Sequence, residues 1–330
     1  MKQNLFRDIS IDIVKFLAVF LIINSHIDIC YAKYAFLATG GAIGDGLFLF
    51  CSGYTLFWKK QPEFSLYYKR RINRIYPSVF ACMFFVYSIG LVPVANINLK
   101  IYFGGEFIIA IMIYYILLYI IQKYAMNKMK YIFLGVVLIT ITAYYFFPHK
   151  YDVGEKGIYG ISTLFRWIPY FGLMLMGAAI GKKQLSNTKK KNYLKFTPVL
   201  LIISIFLFYG IQLLAKVHQS IAPMQIISLP FLYTTVYFIW MCCNSSIAEK
   251  IYNNKFGNII IMSIGGLCLE SYLIQQSLIT NKFNFIFPLN IPLVVLIILL
   301  AAYLCRCFAR LFSQTFGSVA YDWKQIFSIK

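Results

Sequence analysis

A lysine and a histidine eleven residues apart inside an apolar run, Lys15 and His26, are the first residues of this chain whose types and spacing suggest chemistry. At about 100° per residue that spacing completes three helical turns, so the two side chains share a helix face roughly 16 Å apart along the axis. Asp12 joins the same polar stripe. An ionisable pair in a hydrophobic segment is costly unless it lines a cavity or meets a partner. Histidine is the side chain best suited to take a proton from a hydroxyl near neutral pH. The milder alternative has Lys15 snorkelling to the lipid headgroups and His26 satisfying a hydrogen bond in the core.

Two further stretches follow. Gly44-Asp45-Gly46-Leu47-Phe48-Leu49-Phe50-Cys51-Ser52-Gly53-Tyr54 has glycines that permit close backbone approach to a helix or a ligand. Ser52 is a weak nucleophile candidate, because no histidine stands next to it in sequence. Asp45 has two roles open to it, orienting His26 or binding a sugar hydroxyl, besides simple solvation. The third stretch, Tyr68 to Pro77, holds Lys69, Arg70, Arg71 and Arg74. Arg71 and Arg74, three apart, share a helix face. Anchoring to anionic lipid explains the charge, yet guanidinium groups also bind phosphate bidentately. A coenzyme A thioester, with phosphates at one end and a reactive acyl carbon at the other, fits the separation of Lys15 from His26.

The elements that must carry these residues are transmembrane helices. With 60% apolar residues, 13% charged and a mean hydropathy of +0.71, the chain is far from a soluble domain. Apolar runs long enough for a bilayer recur at about Ile11–Ile29, Ile43–Trp58, Pro77–Ala95, Glu106–Gln122, Tyr131–Phe147, Trp167–Gly181, Phe196–Leu214, Pro223–Met241, Asn258–Ile279 and Ile291–Cys305. The expectation is an all-α, polytopic bundle of about ten helices. Ile43–Trp58 and Trp167–Gly181, short and glycine-containing, are expected to be tilted or broken. With a cytoplasmic N-terminus, 23 basic residues fall on the cytoplasmic side and 6 on the other, Lys15 and Arg166 being assigned to the membrane. That bias predicts both termini inside and makes most of the net charge of +20 topological, which argues against nucleic acid as a partner. Asp12, Lys15, Asn24, His26 and Asp28 are poor signal-peptide residues, so the first span is read as retained. The eight cysteines show no zinc-like pairing and read as packing residues, and no metal is expected. With no internal repeat and no appended soluble domain in view, residues 1–330 are expected to form one membrane domain.

Together the three stretches resemble the acyltransferase family 3 of membrane proteins. The features carrying the resemblance are a basic residue followed by histidine in the first span (Lys15, His26), a phenylalanine-rich segment ending Ser-Gly-aromatic (Phe48 to Tyr54), and Arg-x-x-Arg before a proline (Arg71, Arg74, Pro77). Arg166-Trp167-Ile168-Pro169-Tyr170-Phe171-Gly172 and the segment Gly265 to Gln275 also look like the family. Lys15 stands where arginine is commoner, keeping the charge and losing the fork. Gln275 stands where many relatives have histidine.

The resemblance implies a membrane O-acyltransferase, and specifically an O-acetyltransferase of the compact kind that modifies O-antigen or another bacterial surface polysaccharide at the inner membrane. It implies acetyl-CoA as co-substrate with no permanently bound cofactor, and a lipid-linked or surface glycan as acceptor. His26 is the expected catalytic residue, as general base on the acceptor hydroxyl or as a brief carrier of the acetyl group. Lys15, Arg70, Arg71 and Arg74 are expected around the donor phosphates, and Asp12, Asp45, Ser52, Arg166, Glu270 and Tyr272 are acceptor or supporting candidates. His149 and His218 read as surface histidines. A glycan or metabolite transporter using the same polar stripe, or a scaffold for polysaccharide synthesis, are the alternatives.

Overall fold

The computed structural model describes residues 8–56, 61–91, 103–146, 157–160, 164–186, 195–317 and 320–329. The regular elements among them are all helical: α1 (Ile9–His26), α2 (Gly41–Leu56), α3 (Phe64–Ser88), α4 (Gly105–Tyr124), α5 (Met129–Phe146), α6 (Trp167–Ser186), α7 (Thr197–Val217), α8 (Ser228–Cys243), α9 (Ser246–Asn253), α10 (Lys255–Gly266), α11 (Cys268–Leu278), α12 (Asn290–Thr315) and α13 (Trp323–Ile326), with short 3-10 segments between them. A helix satisfies its own backbone polar groups, which is what hydrocarbon demands of a chain this apolar. Seven of the described helices are long and apolar enough to cross a membrane, or up to nine if each of two bent pairs is one span. The all-α polytopic bundle is thus as expected. The helix bearing Lys69, Arg70, Arg71 and Arg74 is not among the seven.

The chain forms two compact units interleaved in sequence. The first takes Met1–Val14, Asp45–Gln61 and Leu117–Asn253. Its centre is a close approach of α2 to α6. A Cβ on Gly53 would collide with the Met174 carbonyl oxygen, one on Gly177 with that of Phe50, and one on Gly181 with that of Tyr54. Beside this seam Phe50, Tyr54 and Trp240 pack ring against ring at centroid distances of 5.9–6.1 Å. The expected break in Trp167–Gly181 is absent, and α6 is one continuous helix. Gly177 and Gly181 lie four apart on one face, so they serve proximity and not a turn. On α5 and α7 the apolar side chains point outward: Leu138, Ile139, Ile202 and Phe206 are all more than half exposed. Rows of this kind are stable only against lipid.

The second unit takes Lys15–Gly44, Pro62–Ile116 and Asn254–Lys330. Here α3 packs on α11 and α12, which also pack on each other. The sequence placed the start of the third span at Pro77, but α3 begins at Phe64 and runs through that proline. Pro62 and the extended Glu63 end the preceding segment, leaving the arginine stretch inside the helix and not at its mouth. The far end of that expected span, Ala95, lies outside the described residues. The expected span Asn258–Ile279 is two helices, α10 and α11, bent by 66° at Leu267. Gly265 and Gly266 end α10 there. Finally, α12 continues past the expected end at Cys305, so Arg306, one of the 23 basic residues counted on the cytoplasmic side, is helical and half-buried.

Candidate active site

Lys15, His26, Arg70, Arg71, Arg74, Glu270 and Tyr272 belong to the second unit, and Asp12, Asp45, Ser52 and Arg166 to the first. Lys15 and His26 both lie on the continuous helix α1, three turns apart and half-buried, as the spacing requires. His26 is its last residue. The chain then enters a 3-10 segment, Asp28–Leu37, kinked at Ala32 with φ +49°.

Asparagines hold that segment. Asn24 Nδ2 donates to the carbonyls of Leu37 and Thr39, each at 2.9 Å, and Asn24 Oδ1 accepts from the Tyr31 hydroxyl. Asn284 Nδ2 donates to the Ile29 carbonyl at 2.8 Å, and Asn290 Nδ2 to that of Cys30 at 2.7 Å. The result is a backbone fixed on both sides of His26. Sequence reasoning missed Tyr31, Asn284 and Asn290 altogether, because asparagine side chains that bind distant backbone leave no periodic mark. Asn24, read only as a polar residue out of place in a signal peptide, was the available clue.

The arginine stretch divides by orientation. Arg71 is half-buried, and its guanidinium lies between the rings of Tyr67 and Tyr115, at 5.1 and 5.5 Å from their centroids. The Tyr67 hydroxyl donates to the Tyr115 carbonyl at 3.2 Å, fixing one of those rings. Arg71 Nε is buried with no hydrogen-bond partner among the described residues. Arg70 and Arg74 are exposed. Further along, the carboxylate of Glu270 is buried and accepts from the Ser78 hydroxyl at 2.7 Å. Tyr272 packs its ring on Phe107, centroids 4.9 Å apart. Ser271 and Gln275 lie four apart on α11, fully buried, their hydroxyl and amide groups unpartnered among the described residues.

In the first unit, Asp12 is buried and accepts from the Tyr252 hydroxyl at 3.0 Å. Asp45, near the start of α2, has Arg166 as its electrostatic partner. Arg166 stacks over Trp167 with 4.6 Å to the ring centroid, and its Nη1 donates to the Tyr159 carbonyl. Ser52 is half-buried on the α2 turn that also carries Gly53 and Tyr54. That motif contributes backbone proximity and a buried ring, with the Tyr54 hydroxyl donating to Asp8. His149 lies outside the described residues, and His218, in the turn after α7, is exposed as expected. Among the described residues no three of His, Cys, Asp or Glu form a metal-binding group.

A histidine at a helix end and a guanidinium packed against two rings lie within one unit. Compared with known families, residues 8–310 match the model of the acyltransferase domain, family 3 of its class. The chain belongs to that family. No curated protein and no solved structure matches it significantly. As a membrane acyltransferase, it moves an acyl group from a donor to an acceptor, and the family match spans both compact units.

Proposed function

We propose that this acyltransferase is a bacterial inner-membrane O-acetyltransferase, taking acetyl groups from cytoplasmic acetyl-CoA to a sugar hydroxyl of a lipid-linked or surface glycan. The observation that carries the reading is the placement of His26 and Lys15 on one helix, with the inward-held Arg71 in the same compact unit. Lys15, Arg70, Arg71 and Arg74 bind the phosphates of the donor, whose thioester reaches towards His26. His26 takes the proton of the acceptor hydroxyl as its oxygen attacks the thioester carbonyl carbon. The tetrahedral intermediate collapses, the carbon–sulfur bond breaks, and the imidazolium returns the proton to the thiolate. The products are an acetylated sugar and free CoA. Both termini lie in the cytoplasm, and no permanently bound cofactor takes part. Glu270 and Tyr272, of the same unit as His26, bind or support the acceptor.

The test is mass spectrometry of surface polysaccharide from bacteria with and without the gene, alongside a His26→Ala version checked for membrane expression. The expected result is a gain of one acetyl mass per modified repeat, labile to mild base and lost in His26→Ala. Unchanged glycan mass in every strain would overturn the acceptor assignment. Normal acetylation by His26→Ala would overturn the role of the histidine.

A further inference from the structure

Arg306 is a guanidinium that the protein builds around and does not satisfy. On α12 the residues Val294, Ile298 and Ala302 follow one another at four-residue intervals and are each at most 1% exposed. The next step in that series is Arg306, so the stripe that packs the helix into the second unit ends on a fixed cation. Its Nη1 is buried and lies so close to Gly266 that a Cβ there would collide with it. Gly266 is the last residue of α10, at the elbow between α10 and α11. The missing side chain is therefore clearance for the guanidinium. That Nη1 has no hydrogen-bond acceptor among the described residues.

The charges around it do not cancel. Glu270, two residues into α11, is the attractive charge acting on Arg306, while Arg74 and Arg310 act repulsively. Glu270 already accepts from Ser78, and it is one carboxylate among three cations. Arg310 is engaged at the carbonyls of Gln325, Ile326 and Ser328, and Arg74 lies on α3, which packs on α12. A half-buried cation with an unused donor and excess positive charge beside it is costly in apolar surroundings, and a bound anion removes that cost. The planar fork of arginine matches a phosphate. Broken helices inside membrane proteins are also where ligand groups are received, because the elbow frees backbone polar groups.

We propose that Arg306 and Arg74 form a phosphate-binding subsite at the α10–α11 elbow, with Glu270 holding the Arg306 guanidinium in place and Gly266 giving it room. Two molecules carry the group it takes: the coenzyme A donor, in which case the subsite extends the donor site and rests on the reading above, or an anionic phospholipid headgroup.

The experiment uses the full chain, purified in neutral detergent for titration with CoA and in nanodiscs containing phosphatidylglycerol for native mass spectrometry of retained lipid. Three variants separate charge, geometry and folding. Arg306→Gln paired with Glu270→Gln removes both charges and avoids stranding a buried carboxylate. Arg306→Lys keeps the charge and loses the fork. Gly266→Ala displaces the guanidinium with no change in charge. Each is first checked for a monodisperse elution profile. If the donor supplies the phosphate, all three weaken CoA binding, the charge-neutral pair by about tenfold or more, and lipid retention holds. If a headgroup supplies it, retained phosphatidylglycerol falls in all three while CoA binding holds. The second result supports the subsite even where the wild-type protein does not bind CoA, so it survives failure of the acetyl-CoA reading. Unchanged CoA binding and lipid retention in folded variants would overturn the subsite.

Discussion

His26 owes its position to residues that do no chemistry. A side chain at a helix end is only as fixed as the backbone that follows, and here that backbone has a residue at positive φ, Ala32, within six positions. Asn24, two residues before the histidine, ties the far end of the segment back through two carbonyls and receives Tyr31 on its remaining oxygen. Asn24→Ala is therefore expected to cost about 1–3 kcal/mol of stability, the usual penalty for removing such hydrogen bonds. Its sharper consequence is kinetic: kcat for acyl transfer falls by about tenfold or more while the donor KM changes little, because the cations proposed to bind the donor lie elsewhere on α1 and α3. A KM rise with unchanged kcat would place Asn24 in donor binding and contradict its role as a positioning residue. Arg71 shows the complementary arrangement. Its two tyrosine faces fix the plane of the guanidinium without using its N–H groups. Lysine at that position keeps the charge and loses the plane.

At the scale of elements, the sequence was most legible where a pattern has a period and least where it depends on a distant contact. The three-turn spacing of Lys15 and His26 was sufficient to place both on α1. Glycine-rich stretches were harder, because glycine permits a bend and a close approach equally well. Both candidates are unbroken over their described residues. Helix α2 is continuous from Gly41 to Leu56, the 102° bend falling before it, after Leu37, and α6 is continuous and spends its glycines on contact with α2. That contact carries a prediction. Gly177→Ala forces a methyl group against the Phe50 carbonyl on a neighbouring backbone, where no flexible side chain can give way. The seam opens or the helices shift, at about 1–3 kcal/mol. In a thermal-shift or fluorescence size-exclusion measurement the variant melts several degrees below wild type, while Gly210→Ala, which meets open space, does not. Equal melting of the two would mean that α2 and α6 are not held backbone to backbone.

For the whole molecule the question is which way round it sits, and composition bears on that more than any single site does. Charge bias reads orientation from loops, and residues buried in the fold do not count towards it. Arg306 was assigned to the cytoplasmic set on its position after an apolar run, but the structure puts it on an interior stripe of α12, so it drops out of the tally. Lys69, Arg70, Arg71 and Arg74 are likewise helical, although Lys69, Arg70 and Arg74 are exposed and still count. Moving Arg306 and Arg71 out leaves 21 of the 23 cytoplasmic basic residues against 6 on the other side, so the inference survives the correction. It yields a direct prediction. A fluorescent-protein fusion after Lys330 is expected to be bright, because that partner folds in the cytoplasm, and an alkaline-phosphatase fusion at the same point inactive. A fusion of each kind after Lys282, in the segment between α11 and α12, is expected to give the reverse pair. Bright fluorescence at Lys282 together with phosphatase activity at Lys330 would invert the bundle. The inversion would put Lys15 and the arginines of α3 on the side away from cytoplasmic acetyl-CoA, and the donor would have to be sought among extracytoplasmic molecules.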